Sequence, residues 1–309
     1  MSIGPYIKII GRGARGAKGL ERAQAADLLG QVLDGQASDL EVGAFCVAMR
    51  IKGETVEEMC GFLDAAHARS ARFPACAQGR PLIVIPSYNG ARRLPVLTPL
   101  LALLLARQGQ SVLLHGMRTE AGRVLASDVL AALDIPALTA IKQIASREVA
   151  HVDTALLHPG LARLLAVRET LGLRNPGHSV AKLLGPCDGP ALVVASHTHP
   201  AYFDLLCSTF STLGMHALLS RGLEGEVAAD PRRTPRYDAF VAGAHALLDE
   251  QQPGTAAEVP GLPAAIDVTS TADYTRRVLA GTLPVPAALQ RQVEHIVHLS
   301  ARIAAGAPS

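Results

Sequence analysis

Apolar residues recur at helical spacing through the first quarter of the chain. Ala25, Leu28, Leu29, Val32 and Leu33 make one such face. Leu40, Ala44, Val47, Ala48 and Ile51 make a second, and Val56, Met59, Phe62, Leu63 and Ala66 a third. Ser38-Asp39-Leu40-Glu41 and Thr55-Val56-Glu57-Glu58 put a capping oxygen ahead of first-turn acids, which predicts helix starts there. Gly35 and Gly53 punctuate the turns, so three short antiparallel helices form a small bundle over residues 1–75. After Pro74 the pattern changes. Residues 82–85, 111–115, 135–144, 152–157, 191–196 and 217–220 are short apolar runs of the buried-strand kind. Helical patterns separate them at 96–107, 121–133, 161–171, 201–213 and 239–248, and residues 286–305 close the chain as an amphipathic helix. Residues 249–263, rich in Pro, Gly and Gln, read as a surface loop. Alternating strands and helices predict an α/β domain over residues 76–309, an α/β/α arrangement on a mostly parallel sheet.

Composition narrows the class. Of 309 residues, 49% are hydrophobic and 18% charged, which excludes disorder as the main state. The 28 glycines follow no three-residue period, which excludes collagen. The longest strongly apolar run, around 96–106, lies among Pro95 and Pro99 and is too short to span a bilayer. Arg12, Arg15 and Lys18 interrupt any secretory signal at the N-terminus. The expectation is a soluble cytoplasmic protein with no membrane partner. Cys46, Cys60, Cys76, Cys187 and Cys207 are scattered, odd in number and without a CxxC pair, which speaks against a disulfide framework or a zinc site.

A net charge of +2 hides an uneven distribution. Residues 1–20 carry Lys8, Arg12, Arg15 and Lys18 and no acid. Residues 69–123 carry eight arginines (Arg69, Arg72, Arg80, Arg92, Arg93, Arg107, Arg118 and Arg123) against Glu120 alone, whereas residues 237–309 are net acidic. Such basic segments suit a polyanion, either nucleic acid or a phosphorylated small molecule.

Several motifs could carry chemistry. Gly11-Arg12-Gly13-Ala14-Arg15-Gly16 matches G-x-G-x-x-G, but helices follow it where a dinucleotide fold needs a βαβ unit. It reads instead as a basic loop whose N–H groups and arginines could meet phosphates. Ser87-Tyr88-Asn89-Gly90-Ala91-Arg92-Arg93 follows the first strand, at the carboxyl edge where open α/β sheets bind ligands. His115-Gly116-Met117-Arg118 follows the second strand, with no acid and nucleophile beside it to make a triad. His197-Thr198-His199 lacks a third metal ligand of clear origin. Glu224 and Glu226 could hold Mg²⁺ near a phosphate, or form a solvated turn.

The order of these features resembles the anthranilate phosphoribosyltransferase / glycosyltransferase family 3 fold over nearly the whole chain. The resemblance runs through Asn89-Gly90, Thr98, His115-Gly116-x-Arg118, Ser127-Asp128-Val129-Leu130, Leu183-Leu184-Gly185-Pro186 and Gly222-Leu223-Glu224. Arg50-Ile51-Lys52-Gly53, the stretch from Pro86 to Arg92, Thr98 to Leu105, and Glu224 to Arg233 are more closely similar to its YbiB-type branch. The family resemblance implies that helices from about 158–185 join the N-terminal bundle. The branch resemblance implies nucleic-acid-binding homodimers without anthranilate transferase activity. The family resemblance, in turn, implies residual phosphate or substrate positions at Asn89, Gly90, Thr98, His115, Gly116, Arg118 and Asp128, an aromatic-acid arginine at Arg174, and Mg²⁺ ligands at Glu224 and Glu226.

The departures from the enzymes are substantial. Their pyrophosphate loop is Gly-Thr-Gly-Gly-Asp, and here Pro86-Ser87-Tyr88-Asn89-Gly90 stands in its place. Leu114, Met117, Ala121 and Gly122 replace a Lys, an Asn and two Ser, and the acidic pair becomes Glu224-Gly225 with Glu226 one step on. Losing several phosphate and metal contacts together lowers such a reaction by orders of magnitude. Two functions follow. One is a nucleic-acid (DNA) binder without cofactor, contacting phosphates through Lys8, Arg12, Arg15, Lys18, Arg92, Arg93, Arg118 and Arg123, and dimeric through its helical domain. The other is a transferase using phosphoribosyl pyrophosphate and Mg²⁺ with an altered acceptor.

Overall fold

The computed structural model describes residues 2–13 and 15–306. The chain divides into two compact units. The first runs up to Ala71 and takes in Thr154–Pro186, and the second is Arg72–Asp153 together with the chain from Cys187 onward.

The helical unit contains α1 (Gly4–Ile10), α2 (Arg22–Leu33), α3 (Asp39–Lys52), α4 (Val56–His67), α7 (Thr154–Leu157), α8 (Pro159–Leu171) and α9 (Gly177–Ala181). Capping boxes start α3 and α4, as their sequences predict. Ser38 accepts from the Glu41 N–H and Thr55 from the Glu58 N–H, while each glutamate reaches back to the cap. Glu58 is fully buried yet satisfied, because Leu20 N–H, Thr55 N–H and the Lys52 ammonium all donate to it. α1 escapes the periodicity reading because only Ile10 of its seven residues is buried.

The second unit is built on one seven-stranded sheet in the order β3-β2-β1-β4-β5-β6-β7. Its strands are β1 (Leu82–Pro86), β2 (Val112–Gly116), β3 (Val149–Asp153), β4 (Ala191–His197), β5 (His216–Arg221), β6 (Tyr237–Val241) and β7 (Ala244–Asp249). β1 to β5 are parallel, and β6 and β7 are added antiparallel. One face carries the main core with α5 (Thr98–Arg107), α6 (Ala126–Ala132), α11 (Val268–Leu279) and α12 (Ala287–Ala304). On the other face α10 (Pro200–Thr212) packs Phe210 against Phe240, with ring centroids 5.1 Å apart. No helix among the described residues is long and apolar enough to cross a membrane.

Three elements differ from their sequence patterns. The helix read over 239–248 is the β6–β7 hairpin. Ala242 and Gly243 take φ of 48° and 80°, the left-handed pair that a tight hairpin turn needs. Tyr237, Ala239 and Val241 alternate into the main core, a period of two that the alanines mask. The strand read over 135–144 is irregular chain with a single bridge, Ala137 to His151, where Pro136 has no N–H to give. The strand read over 152–157 ends at Asp153, and Thr154 opens a helical turn.

Candidate functional site

The sheet order reverses between β1 and β4, the switch point at whose carboxyl edge open α/β sheets bind ligands. The loop after β1 (87–97) and the loop after β2 (117–125) are stitched together. Ala91 N–H donates to the Val124 carbonyl at 2.9 Å, Val124 N–H donates back at 3.1 Å, and the Thr119 hydroxyl donates to the Tyr88 carbonyl at 2.9 Å. Gly116 is required here, because any Cβ would collide with the Ser87 carbonyl oxygen. Gly90 is required as well, with φ of 62° and the Val124 oxygen 2.7 Å from where its Cβ would stand. These two glycines are thus demanded by backbone approach.

The segment after β5 (222–226) folds back over the β1 loop, and its two carboxylates enter it. Glu226 is 4% exposed. Its Oε1 accepts from the N–H groups of Asn89 and Gly90, each at 2.9 Å. Its Oε2 accepts from the Ser87 hydroxyl at 2.6 Å and the Thr98 hydroxyl at 2.9 Å. Glu224 Oε2 accepts from the N–H groups of Arg92 and Arg93, each at 3.0 Å. Its Oε1 stands 3.8 Å from the guanidinium groups of Arg92 and Arg123. Beside them the Tyr88 hydroxyl meets His115 Nδ1 at 2.8 Å, both residues being buried.

The structure therefore gathers Asn89, Gly90, Thr98, His115, Gly116, Glu224 and Glu226 at one edge, and adds Ser87, Tyr88 and Thr119. Ser87 and Tyr88 belong to the loop motif that the sequence singles out, though not to its candidate site residues, and nothing in the sequence marks Thr119. Arg118 lies at the same edge in an ion pair with Asp128 at 2.8 Å and donates to the Arg123 carbonyl. Arg123 is largely buried and bonded to Glu120 at 2.9 Å. Arg92 and Arg93 are exposed, and Arg93 forms no ion pair among the described residues. Arg174 belongs to the other unit, where it and Arg168 add to burial in pushing the His178 imidazole down to about 3.

The fit to a Mg²⁺-bound pyrophosphate is poor. A cation needs carboxylate oxygens that face it, whereas both oxygens of Glu226 are met by N–H and O–H donors. Among the described residues no group of three or more His, Cys, Asp and Glu is placed to hold a metal, His197 and His199 included.

The basic segment 69–123 is less bare than its composition suggests. Acids from outside it answer several of its charges: Asp34 binds Arg69 at 2.7 Å, Asp188 binds Arg72 at 2.7 Å, and Asp128 binds Arg118. The N-terminal segment differs. Lys8, Arg12, Arg15 and Lys18 are all exposed and form no ion pair among the described residues. Gly11–Gly16 joins α1 to α2, so no strand precedes its G-x-G-x-x-G pattern; Ala14 lies outside the described residues.

Comparison with known proteins gives a consistent picture. Residues 5–70 match the helical bundle domain of the glycosyl transferase family. The chain is 39% identical over 293 residues to the uncharacterized protein YbiB of Escherichia coli, covering 93% of this chain and 91% of that protein. It is 33% identical over 214 residues to an anthranilate phosphoribosyltransferase of Leifsonia xyli, covering 67% of this chain and 59% of that protein. In fold it is similar to the anthranilate phosphoribosyltransferase of Thermus thermophilus, with a TM-score of 0.75 at 22% identity, over 98% of this chain and 90% of that one.

Proposed function

The chain belongs to the YbiB-type branch of the anthranilate phosphoribosyltransferase / glycosyltransferase family 3 fold, and on that scaffold we propose a cytoplasmic homodimer that binds nucleic acid through its phosphates, without sequence preference and without anthranilate transferase activity. The observation that carries this reading is the N-terminal segment. Four exposed cations lie within eleven residues and have no protein counter-charge among the described residues. Arg92 and Arg93 extend the set on the α/β unit. A phosphate polymer supplies the missing negative charge and releases its condensed counterions on binding.

The aromatic residues support phosphate contact over base stacking. There is no Trp, and Phe45, Phe62, Phe73, Phe210, Phe240, Tyr237 and Tyr274 are fully buried. Stacking platforms need exposed rings. The five cysteines are free, which suits a reducing compartment.

Dimerisation through the helical unit is supported by α3. Leu40, Val47 and Ile51 are 85%, 38% and 68% exposed and share one stripe of the helix. A second copy laying the same stripe against it would bury them. Leu40→Asp with Ile51→Asp should give a monomer in sedimentation; a wild-type protein already monomeric at micromolar concentration removes this part of the reading.

Isotherms discriminate the function. Low-micromolar or tighter binding of DNA, with no response to phosphoribosyl pyrophosphate and Mg²⁺, is the expected result. Steady turnover of anthranilate would overturn the reading in favour of the transferase.

A further inference from the structure

The end of β5 opens into a small pocket apart from the site described above. Arg221, Gly222, Asp230, Arg233, Pro235 and Gln251 are among its walls, and among the described residues none of the loop after β1 lines it. Backbone contacts fix these walls. Gly222 N–H donates to the His197 carbonyl at 3.0 Å, and a Cβ at Gly222 would stand 2.3 Å from the Glu226 carbonyl oxygen. Gln252 N–H donates to the Thr234 carbonyl at 3.2 Å and Ala256 N–H to the Arg232 carbonyl at 2.7 Å, which ties the segment carrying Gln251 to the segment carrying Arg233. Charge is unbalanced there. Asp230 is buried in the wall, and Arg232 takes both its oxygens: its N–H and Nε donate to Oδ1 at 3.1 and 2.9 Å, and its Nη2 donates to Oδ2 at 2.8 Å. Arg233 stands 3.8 Å from Asp230, beyond hydrogen-bond length, and its side chain donates to nothing among the described residues. Arg221 is exposed and has neither an ion pair nor a side-chain hydrogen bond among the described residues. One carboxylate thus stands against three guanidinium groups, and two of these keep their forks of N–H donors uncommitted. Like charges gathered at one pocket repel each other until an anion lies between them.

We propose that this pocket binds a single phosphate monoester group, gripped by the guanidinium forks of Arg221 and Arg233, with the Gln251 amide as a neutral donor. The planar fork of an arginine matches a pair of phosphate oxygens. A monoester carries nearly two negative charges at neutral pH and three terminal oxygens, so it can meet both forks at once. A phosphodiester carries a single charge and meets them less well. The pocket is small, so it takes the phosphate and leaves the organic part outside. Such a group ends a phosphorylated metabolite and also ends a nucleic-acid strand, and the experiment separates these sources. The site goes beyond the nucleic-acid reading and is independent of it, since none of the N-terminal cations takes part.

The test titrates inorganic phosphate calorimetrically, at fixed ionic strength, into the wild type, Arg221→Ala, Arg233→Ala and Arg107→Ala, the last removing an exposed arginine at the end of α5. The wild type should bind saturably, with a Kd of about 1 mM or below. Each pocket variant should weaken binding at least about tenfold, the effect of losing a charge-assisted pair, and Arg107→Ala should leave it unchanged. Neither pocket side chain is hydrogen-bonded to the described residues, so both variants should fold with the wild-type Tm. Phosphate should raise the Tm of the wild type beyond the effect of sodium chloride at matched ionic strength, and should not raise theirs. Methyl phosphate should bind, and dimethyl phosphate should bind at least about tenfold more weakly. A 5′-phosphorylated oligonucleotide that outbinds its 5′-hydroxyl counterpart in the wild type, and not in Arg221→Ala, assigns the ligand as a strand end. Equal binding of the two oligonucleotides, with methyl phosphate still bound, assigns it as a free phosphorylated metabolite. Four results would overturn the proposal: no saturable phosphate binding, unchanged binding in both pocket variants, an equal loss in Arg107→Ala, or equal affinity for dimethyl phosphate. The variant lacking Arg12, Arg15 and Lys18 should keep phosphate binding in full, and its loss there counts against the pocket. Failure of DNA binding leaves this result untouched, so the two readings fail separately.

Discussion

Two glycine- and arginine-bearing loops of this protein reach opposite electrostatic states. The loop between α1 and α2 holds Arg12, Arg15 and Lys18 in solvent with no protein anion against them among the described residues. The loop after β1 holds Arg92 and Arg93, but their own N–H groups are taken by Glu224, and the N–H groups of Asn89 and Gly90 by Glu226. Each loop carries two arginines, and neither carries an acid to offset them from within, Glu21 at the start of α2 apart. What differs is whether the fold delivers a carboxylate. An open loop can recruit an external polyanion, whereas a filled one has its donors already occupied.

The sharpest way to break this comparison is by salt dependence. Replacing Arg12, Arg15 and Lys18 together by Ala should weaken binding of every DNA sequence alike and flatten the slope of log K against log salt by about two to three units. Arg92→Ala with Arg93→Ala should flatten it by about one unit or less, because Glu224 already offsets part of that charge. Equal effects at the two loops would erase the distinction, and an unchanged slope in the triple variant would remove the N-terminal loop from the interface.

The filled loop also depends on close backbone approach. Gly116→Ala forces the Ser87 carbonyl away and should cost about 3 kcal/mol or more in urea unfolding. A loss below about 1 kcal/mol would mean that the loop can shift freely.

The open loop is carried by a unit with two buried neutral histidines. Burial, with Arg69 and Arg163 adding to it, pushes His158 down to about 4, and His178 falls to about 3. Both stay neutral in the folded state while the unfolded chain protonates them below about 6.5. Stability is therefore full above that pH and declines as pH falls, by roughly 1 kcal/mol per unit for each histidine, until the folded values are passed. Urea midpoints between pH 7 and 4.5 should show the decline, and His178→Asn should flatten it; a flat profile in the wild type contradicts the assignment.

The smallest effect concerns Tyr88, whose hydroxyl bonds His115 inside the filled loop. Tyr88→Phe should destabilise by about 1 kcal/mol and leave DNA affinity unchanged.

The sequence by itself determined the elements whose signals are local. Ser38 with Glu41 and Thr55 with Glu58 are three residues apart, so their capping boxes are written in adjacent letters. The apolar runs of β1, β2, β4 and β5 and the stripe of α12 are equally local, and with the helices between them they determined the mostly parallel α/β architecture. The same letters misread 239–248, because an alanine-rich hairpin and an alanine-rich helix differ only in the turn at Ala242-Gly243. The state of the candidate site was decided by tertiary structure alone. Glu226 is separated by well over a hundred residues from the N–H groups it fills, and Asp34, Asp188 and Asp128 reach their arginines from outside the basic segment. Coulomb attraction and hydrogen bonding act over a few ångströms of space, whatever the separation along the chain. A segment's charge therefore states what it can bind, and only the fold decides which of its charges remain to bind anything.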